Sequence, residues 1–198
     1  MVNGQDWRKV TDKLVQSATQ NIVNDKIIDL LYKGLSSAET GAPYDAKNPF
    51  IRTRAEGTGS SAYGPLQMTG GEGSMMSNIY HDPHLANRMG ITEDENYYIQ
   101  QYLEQASQFL EPVSDEVGST YGYGGSGTLH SKADQEMYQN ISRKIIDYEF
   151  NQQAGGDTSL FLKNWKMGSG KSMEDFDKWS TSKEGQAYIQ RFNANLIP

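Results

Sequence analysis

NDKIIDLLYKGLSSAETGAP, residues 24–43, decides how the rest of the chain is read. Ile27, Ile28, Leu31 and Leu35 fall on one face at helical spacing, so a helix is predicted to begin near Asn24 or Asp25. It is predicted to end around Glu39, with Gly41 as the C-cap and TGAP as the stop. That ending leaves Glu39 at the negative end of the helix macrodipole, where a carboxylate is mildly disfavoured. A glutamate in that place needs a use.

Upstream, Trp7, Val10, Leu14 and Ala18 are also helically spaced, which predicts a separate helix over 6–18. Residues 1–24 therefore read as an N-terminal helical extension and 25–198 as the main domain. Downstream, NPFIRTRAEGTGSSAYGPLQMT (48–69) reads as two short extended runs about the turn EGTGSS, a β-hairpin whose second run Pro65 assigns to an edge. Helical patterns then resume. Met75, Met76, Ile79 and Tyr80 form a stripe, and DPHLANRMG opens with a cap and Pro83. Thr92 and Glu95 make a capping box. Further helices are expected over 131–150, 158–166, 173–180 and 184–194, with a Gly-rich loop at 118–130. The expected fold class is α+β, mostly α: seven or eight helices about one small hairpin.

Composition narrows the partners. The net charge of −7, with no Lys/Arg run, offers no footprint for a nucleic-acid backbone. With no cysteine there is no disulfide and no thiolate zinc site. The N-terminus carries no apolar signal-peptide core, and no apolar run nears the ~18 residues of a membrane span. No export signal and no membrane insertion are therefore expected. The twelve tyrosines read first as partly buried core and second as rings lining a sugar groove.

Several weak motifs fall away. GYGGSG (122–127) has the glycine spacing of a dinucleotide loop but neither the strand before it nor the βαβ series around it. GSGKS (168–172) has the tail of a phosphate loop without its first glycine, and reads as a joint between helices. His81 and His84 lack a third clear ligand, so neither a metal nor a cofactor is expected.

What remains is Glu39 followed by Ser60-Ser61-Ala62-Tyr63-Gly64-Pro65-Leu66-Gln67-Met68-Thr69. A hairpin folded over the helix end would make one wall of a cleft. Gly64 would admit a close approach, and Gln67 could donate to and accept from an acetamido or hydroxyl group. SAETGAP followed by SSAYGPLQMT resembles the lytic transglycosylases and the related goose-type lysozymes. The match lies at Glu39, Thr40 and Gly41, and again at Gly64, Leu66 and Gln67; it departs at Pro65. The family's aromatic-Asn turn is echoed at Asn164-Trp165-Lys166-Met167-Gly168, and its closing tyrosine helix at GQAYIQRF with Tyr188.

The resemblance implies a lysozyme-like fold and cleavage of the β-1,4 bond between N-acetylmuramic acid and N-acetylglucosamine in peptidoglycan strands. It implies Glu39 as general acid and then base, closing a 1,6-anhydro ring without water, and substrate contacts at Ser60, Ser61, Tyr63, Gly64, Gln67, Trp165 and Tyr188. Desolvation under the hairpin and the helix dipole would both favour the neutral acid that donates the proton. A hydrolytic muramidase on the same scaffold would need a second carboxylate about 6.5–9.5 Å away; Asp45, Glu56 and Glu72 are candidates. A monomeric phage enzyme is implied, made in the host cytoplasm and reaching the periplasm or wall through a holin or aboard the virion. A wall-binding or virion structural protein without catalysis stays open beside both enzymes.

Overall fold

The helix that ends at Glu39 proves longer than its sequence pattern. In the computed structural model, which describes residues 4–41, 64–107 and 132–196, α1 runs unbroken from Gly4 to Thr40. Its 37 residues extend about 55 Å at 1.5 Å per residue. The two helices expected on either side of residue 24 are thus one. Asn24, where the second helix is expected to begin, turns its side chain outward to tertiary partners instead. Its Nδ2 donates to Asp147 Oδ1 at 2.9 Å, and its Oδ1 accepts from Asn151 Nδ2 at 2.9 Å. With those tertiary partners and no Gly or Pro nearby, nothing stops the helix there.

The C-terminal end falls where expected. Gly41 takes φ 72°, and its N–H donates to Ser37 O at 3.1 Å, closing the last turn. The buried stripe of α1 is Ile28, Leu31, Tyr32, Leu35 and Ala38. Gly34 sits on the same side for a steric reason. A Cβ there would stand 2.9 Å from the Phe192 ring and 3.0 Å from the Phe192 carbonyl oxygen. Its absence lets the last helix lie close against α1.

The remaining described elements are α2 (Met75–His81), α3 (Pro83–Arg88), α4 (Glu93–Ser107) and α5 (Lys132–Asp147), then a π-helical turn (Tyr148–Gln153), α6 (Thr158–Met167), α7 (Met173–Ser180) and α8 (Lys183–Asn193). Local chemistry accounts for their starts. Asp82 caps α3 ahead of Pro83. Thr92 and Glu95 form the expected reciprocal box, with Thr92 N–H donating to Glu95 Oε2 at 2.7 Å and Glu95 N–H to Thr92 Oγ1 at 3.2 Å. Asp157, Ser172 and Ser182 cap α6, α7 and α8. Such caps each contribute about 1 kcal/mol. The core gathers Tyr32, Tyr102, Tyr138, Phe161 and Phe192 among aliphatic side chains from α1, α2, α4 and α5.

The architecture is mostly α, as the sequence indicates, and no strand occurs among the described residues. Most of the expected hairpin, 48–63, lies outside them. Its described end corrects the reading: Gly64–Gln67 is a turn, not an extended run. Gln67 N–H donates to Gly64 O at 2.9 Å. Pro65 explains the change, since its fixed φ suits the second position of a turn and removes a ladder donor. The helix expected over 131–150 also differs, because its last turn widens. Ala154 N–H reaches back five residues to Glu149 O at 2.9 Å, a π-type bond.

Candidate active site

A cavity of about 500 Å³ opens where the C-terminus of α1, the Gly64–Met68 turn, the π turn and α6 meet. Ligand clefts in proteins commonly span roughly 300–1,000 Å³. Glu39 and Gln67 line it from one direction, Glu149 and Gln153 from another, and Asn164 and Trp165 from α6.

Glu39 is held from behind. Tyr188, only 3% exposed on α8, donates its hydroxyl to Glu39 Oε1 at 2.6 Å. Burial, then the nearby Glu39 charge and this hydrogen bond, keep the Tyr188 phenol far above its ordinary range. It therefore stays protonated and stays a donor. Its ring packs against Trp179 with centroids 5.5 Å apart. On its other contact, Lys166 Nζ lies 4.7 Å from the ring centroid, a cation–π geometry. Arg191, one turn along α8, donates to Ala38 O at 3.3 Å. That bond takes up one of the carbonyls a helix end leaves open.

The turn that carries Gln67 is fastened by two buried tyrosines. Tyr138 on α5 accepts from Leu66 N–H at 3.3 Å, and Tyr102 on α4 donates to Met68 O. Gly64 is required at the turn's start. Its φ is 75°, and a Cβ would lie 2.6 Å from the Tyr138 ring. Gln67 itself takes φ 48°, a left-handed conformation uncommon outside glycine. Its Nε2 donates to Gly64 O at 2.8 Å. Strain of this kind costs about 1–3 kcal/mol and gathers at functional sites.

The π turn brings to the lining a carboxyl that the sequence reading missed. Glu149 lines the cavity, and burial pushes its carboxyl above the usual range. Next to it on the wall is Gln153, whose Nε2 donates to Tyr148 Oη at 2.8 Å. On α6, Asn164 Oδ1 is buried without a hydrogen-bond partner. Gly168 and Ser169 complete the rim. The joint after them is held by Lys163, a buried lysine whose ammonium donates to Ser169 O at 3.2 Å and Lys171 O at 3.0 Å. The GSGKS stretch is thus the joint between α6 and α7. Ile145, Glu149 and Gln153 are spaced four apart and share the lining, but that spacing alone does not mark Glu149 as a site residue.

The other candidates are distributed as follows. Gln67 and Trp165 line the cavity with Glu39, and Tyr188 stands behind Glu39 rather than on the wall. Gly64 shapes the turn without lining the cavity. Glu72 is exposed and is not part of the lining. Asp45, Glu56, Ser60, Ser61 and Tyr63 lie outside the described residues, as does the loop at 118–130. His81 and His84 are exposed, and His81 Nδ1 lies 2.8 Å from Ser77 O. Among the described residues no group of three or more potential metal ligands occurs, and no helix is long and apolar enough to cross a membrane.

Comparison of the chain with protein-family models, with curated proteins and with solved structures gave no match.

Proposed function

We propose that the protein cleaves the β-1,4 bond between N-acetylmuramic acid and N-acetylglucosamine in peptidoglycan, with Glu39 as proton donor. The observation that carries this reading is a glutamate at a helix C-terminus that opens into a 500 Å³ cavity and is fixed by the Tyr188 hydroxyl. It agrees with the resemblance of SAETGAP and YGPLQ to lytic transglycosylases. The hydrogen bond occupies one carboxyl oxygen and leaves the other to meet substrate. In the proposed reaction Glu39 protonates the glycosidic oxygen as the bond to C1 breaks. The ionised Glu39 then takes the proton of the muramic 6-hydroxyl as that oxygen adds to C1, giving a 1,6-anhydro end. The substrate's own acetamido group can stabilise the positive charge at C1. Gln67 and Asn164 supply polar contacts, and the Trp165 ring offers a face for a sugar.

On this reading the protein is a lysozyme-like phage enzyme, delivered to the wall through a holin or carried in the virion. Incubation with purified peptidoglycan, followed by mass analysis of the soluble muropeptides, tests it. Anhydro ends are expected from the wild-type chain and none from Glu39→Gln. Equal release by both would show that Glu39 is not the proton donor, and release by neither would leave a wall-binding or structural role in place of the enzymatic one.

A further inference from the structure

We propose that Glu149 is the base of a second, water-using branch of this cleft, so that reducing ends are released beside anhydro ends. The inference rests on the reading of the cleft as glycan-cleaving.

Three observations support it. Glu39 and Glu149 are the two carboxyls among the described residues that line the cavity. Their surroundings differ. Glu39 accepts the Tyr188 hydroxyl, whereas the Glu149 side chain has no hydrogen bond or ion pair among the described residues. Its carboxyl oxygens are therefore available to a molecule in the cavity. Lastly, Glu149 sits on the π turn with Gln153 beside it on the wall, and the partnerless Asn164 Oδ1 belongs to the same lining. A half-buried polar wall whose acceptors are not used internally is arranged for a ligand or a reacting water.

Burial raises the Glu149 carboxyl above its ordinary range, which makes its ionised form a stronger base. The other titratable group lining the cavity, besides the two carboxyls, is Lys166, whose ammonium lies over the Tyr188 ring.

Glu39 gives its proton to the glycosidic oxygen while the C1–O bond breaks. A solvent water forms the new bond to C1 and passes a proton to the Glu149 carboxylate. Glu149 returns that proton to solvent, and Glu39 regains one. One water is consumed, and a reducing end forms where the anhydro ring would otherwise close.

The test is the ratio of reducing to anhydro ends released from purified peptidoglycan, with ¹⁸O-water marking the reducing ends. Within one sample this ratio does not depend on how much of a variant is folded. Wild-type protein is expected to give both ends, and in Glu149→Gln the ratio is expected to fall about a hundredfold or more, as for loss of a general base. Glu149→Asp, which keeps the carboxyl, is expected to fall between the two. An unchanged ratio in Glu149→Gln overturns the assignment, as does a wild-type protein that releases anhydro ends alone; both results leave the glycan-cleaving reading intact. Absence of any cleavage by the wild-type chain overturns both.

Discussion

The two carboxyl-bearing walls of the cleft are built in opposite ways. On the α1–α8 wall, Glu39 stands on the last turn of a 37-residue helix and is fixed by Tyr188, itself packed by Trp179 and Lys166. On the π turn, Glu149 projects from a locally widened helix and carries no internal partner among the described residues. The first wall spends its polar groups on holding one carboxyl in one place. The second leaves acceptors unused. A reacting group gains from being held, because misplacement by an ångström costs rate, while a group that meets a mobile water or a varied substrate gains from being free.

The largest expected effect tests the held wall directly. Glu39→Gln keeps the size and the Tyr188 contact but removes the transferable proton. Cleavage of peptidoglycan is expected to fall by about 10²–10⁴-fold, the usual share of a general acid. Melting temperature should move little, so thermal denaturation in parallel separates lost chemistry from lost fold. A variant that retains full activity would break the comparison, since Glu39 would then be no more than a helix-end residue.

Next in size is a change to the turn between the walls. Gly64→Ala places a Cβ against the Tyr138 ring at a φ of 75°. Overpacking and backbone strain together should cost about 2–4 kcal/mol. Denaturant unfolding would read this as a lower midpoint at unchanged slope. The turn must shift away from Tyr138, carrying Gln67 with it, so substrate affinity should weaken as well. A stability equal to wild type would show that the Tyr138 clamp does not set the position of Gln67.

Much of this architecture is legible in the sequence, and the exceptions have local causes. The starts of α6, α7 and α8 fall within a residue of the sequence expectation, and Asp157, Ser172 and Ser182 cap them through nearby backbone. The sequence pattern places a helix start near Asn24 where there is none, because a polar residue that begins a helix and one that makes a tertiary contact look alike in sequence. Asn24 resolves the choice only through Asp147 and Asn151, more than 120 positions away. Glu39 could be read because its signal is local, a stop and a glycine. Glu149 could not, since its importance depends on a π turn and on a cavity assembled from three distant segments.

Tyr188→Phe sharpens the held side by removing one hydroxyl. The neighbouring Trp179 and Lys166 contacts with the ring should survive. Losing a hydrogen bond to a charged group costs about 1.5–3 kcal/mol, so activity is expected to drop roughly 10- to 150-fold. The loss should appear in kcat more than in KM, because the hydroxyl touches Glu39 and not the sugar. A change confined to KM would instead put Tyr188 in contact with substrate.

The smallest effect concerns the free wall and runs counter to ordinary expectation. Burial raises the Glu149 carboxyl above its unfolded value, so the folded protein binds its proton more tightly than the unfolded chain does. Its contribution to stability is complete below the unfolded carboxyl range and is lost as pH rises through the folded one. At neutral pH the ionised side chain is therefore a burden on the fold. Glu149→Gln should melt slightly higher than wild type at pH 7, and the gap should close as the pH falls below about 4. A gain at neutral pH accompanied by lost reducing ends would mean that this wall keeps its carboxyl for chemistry at the expense of stability. A variant less stable at pH 7 would instead show that the Glu149 carboxylate has a stabilising partner and that the two walls are built alike.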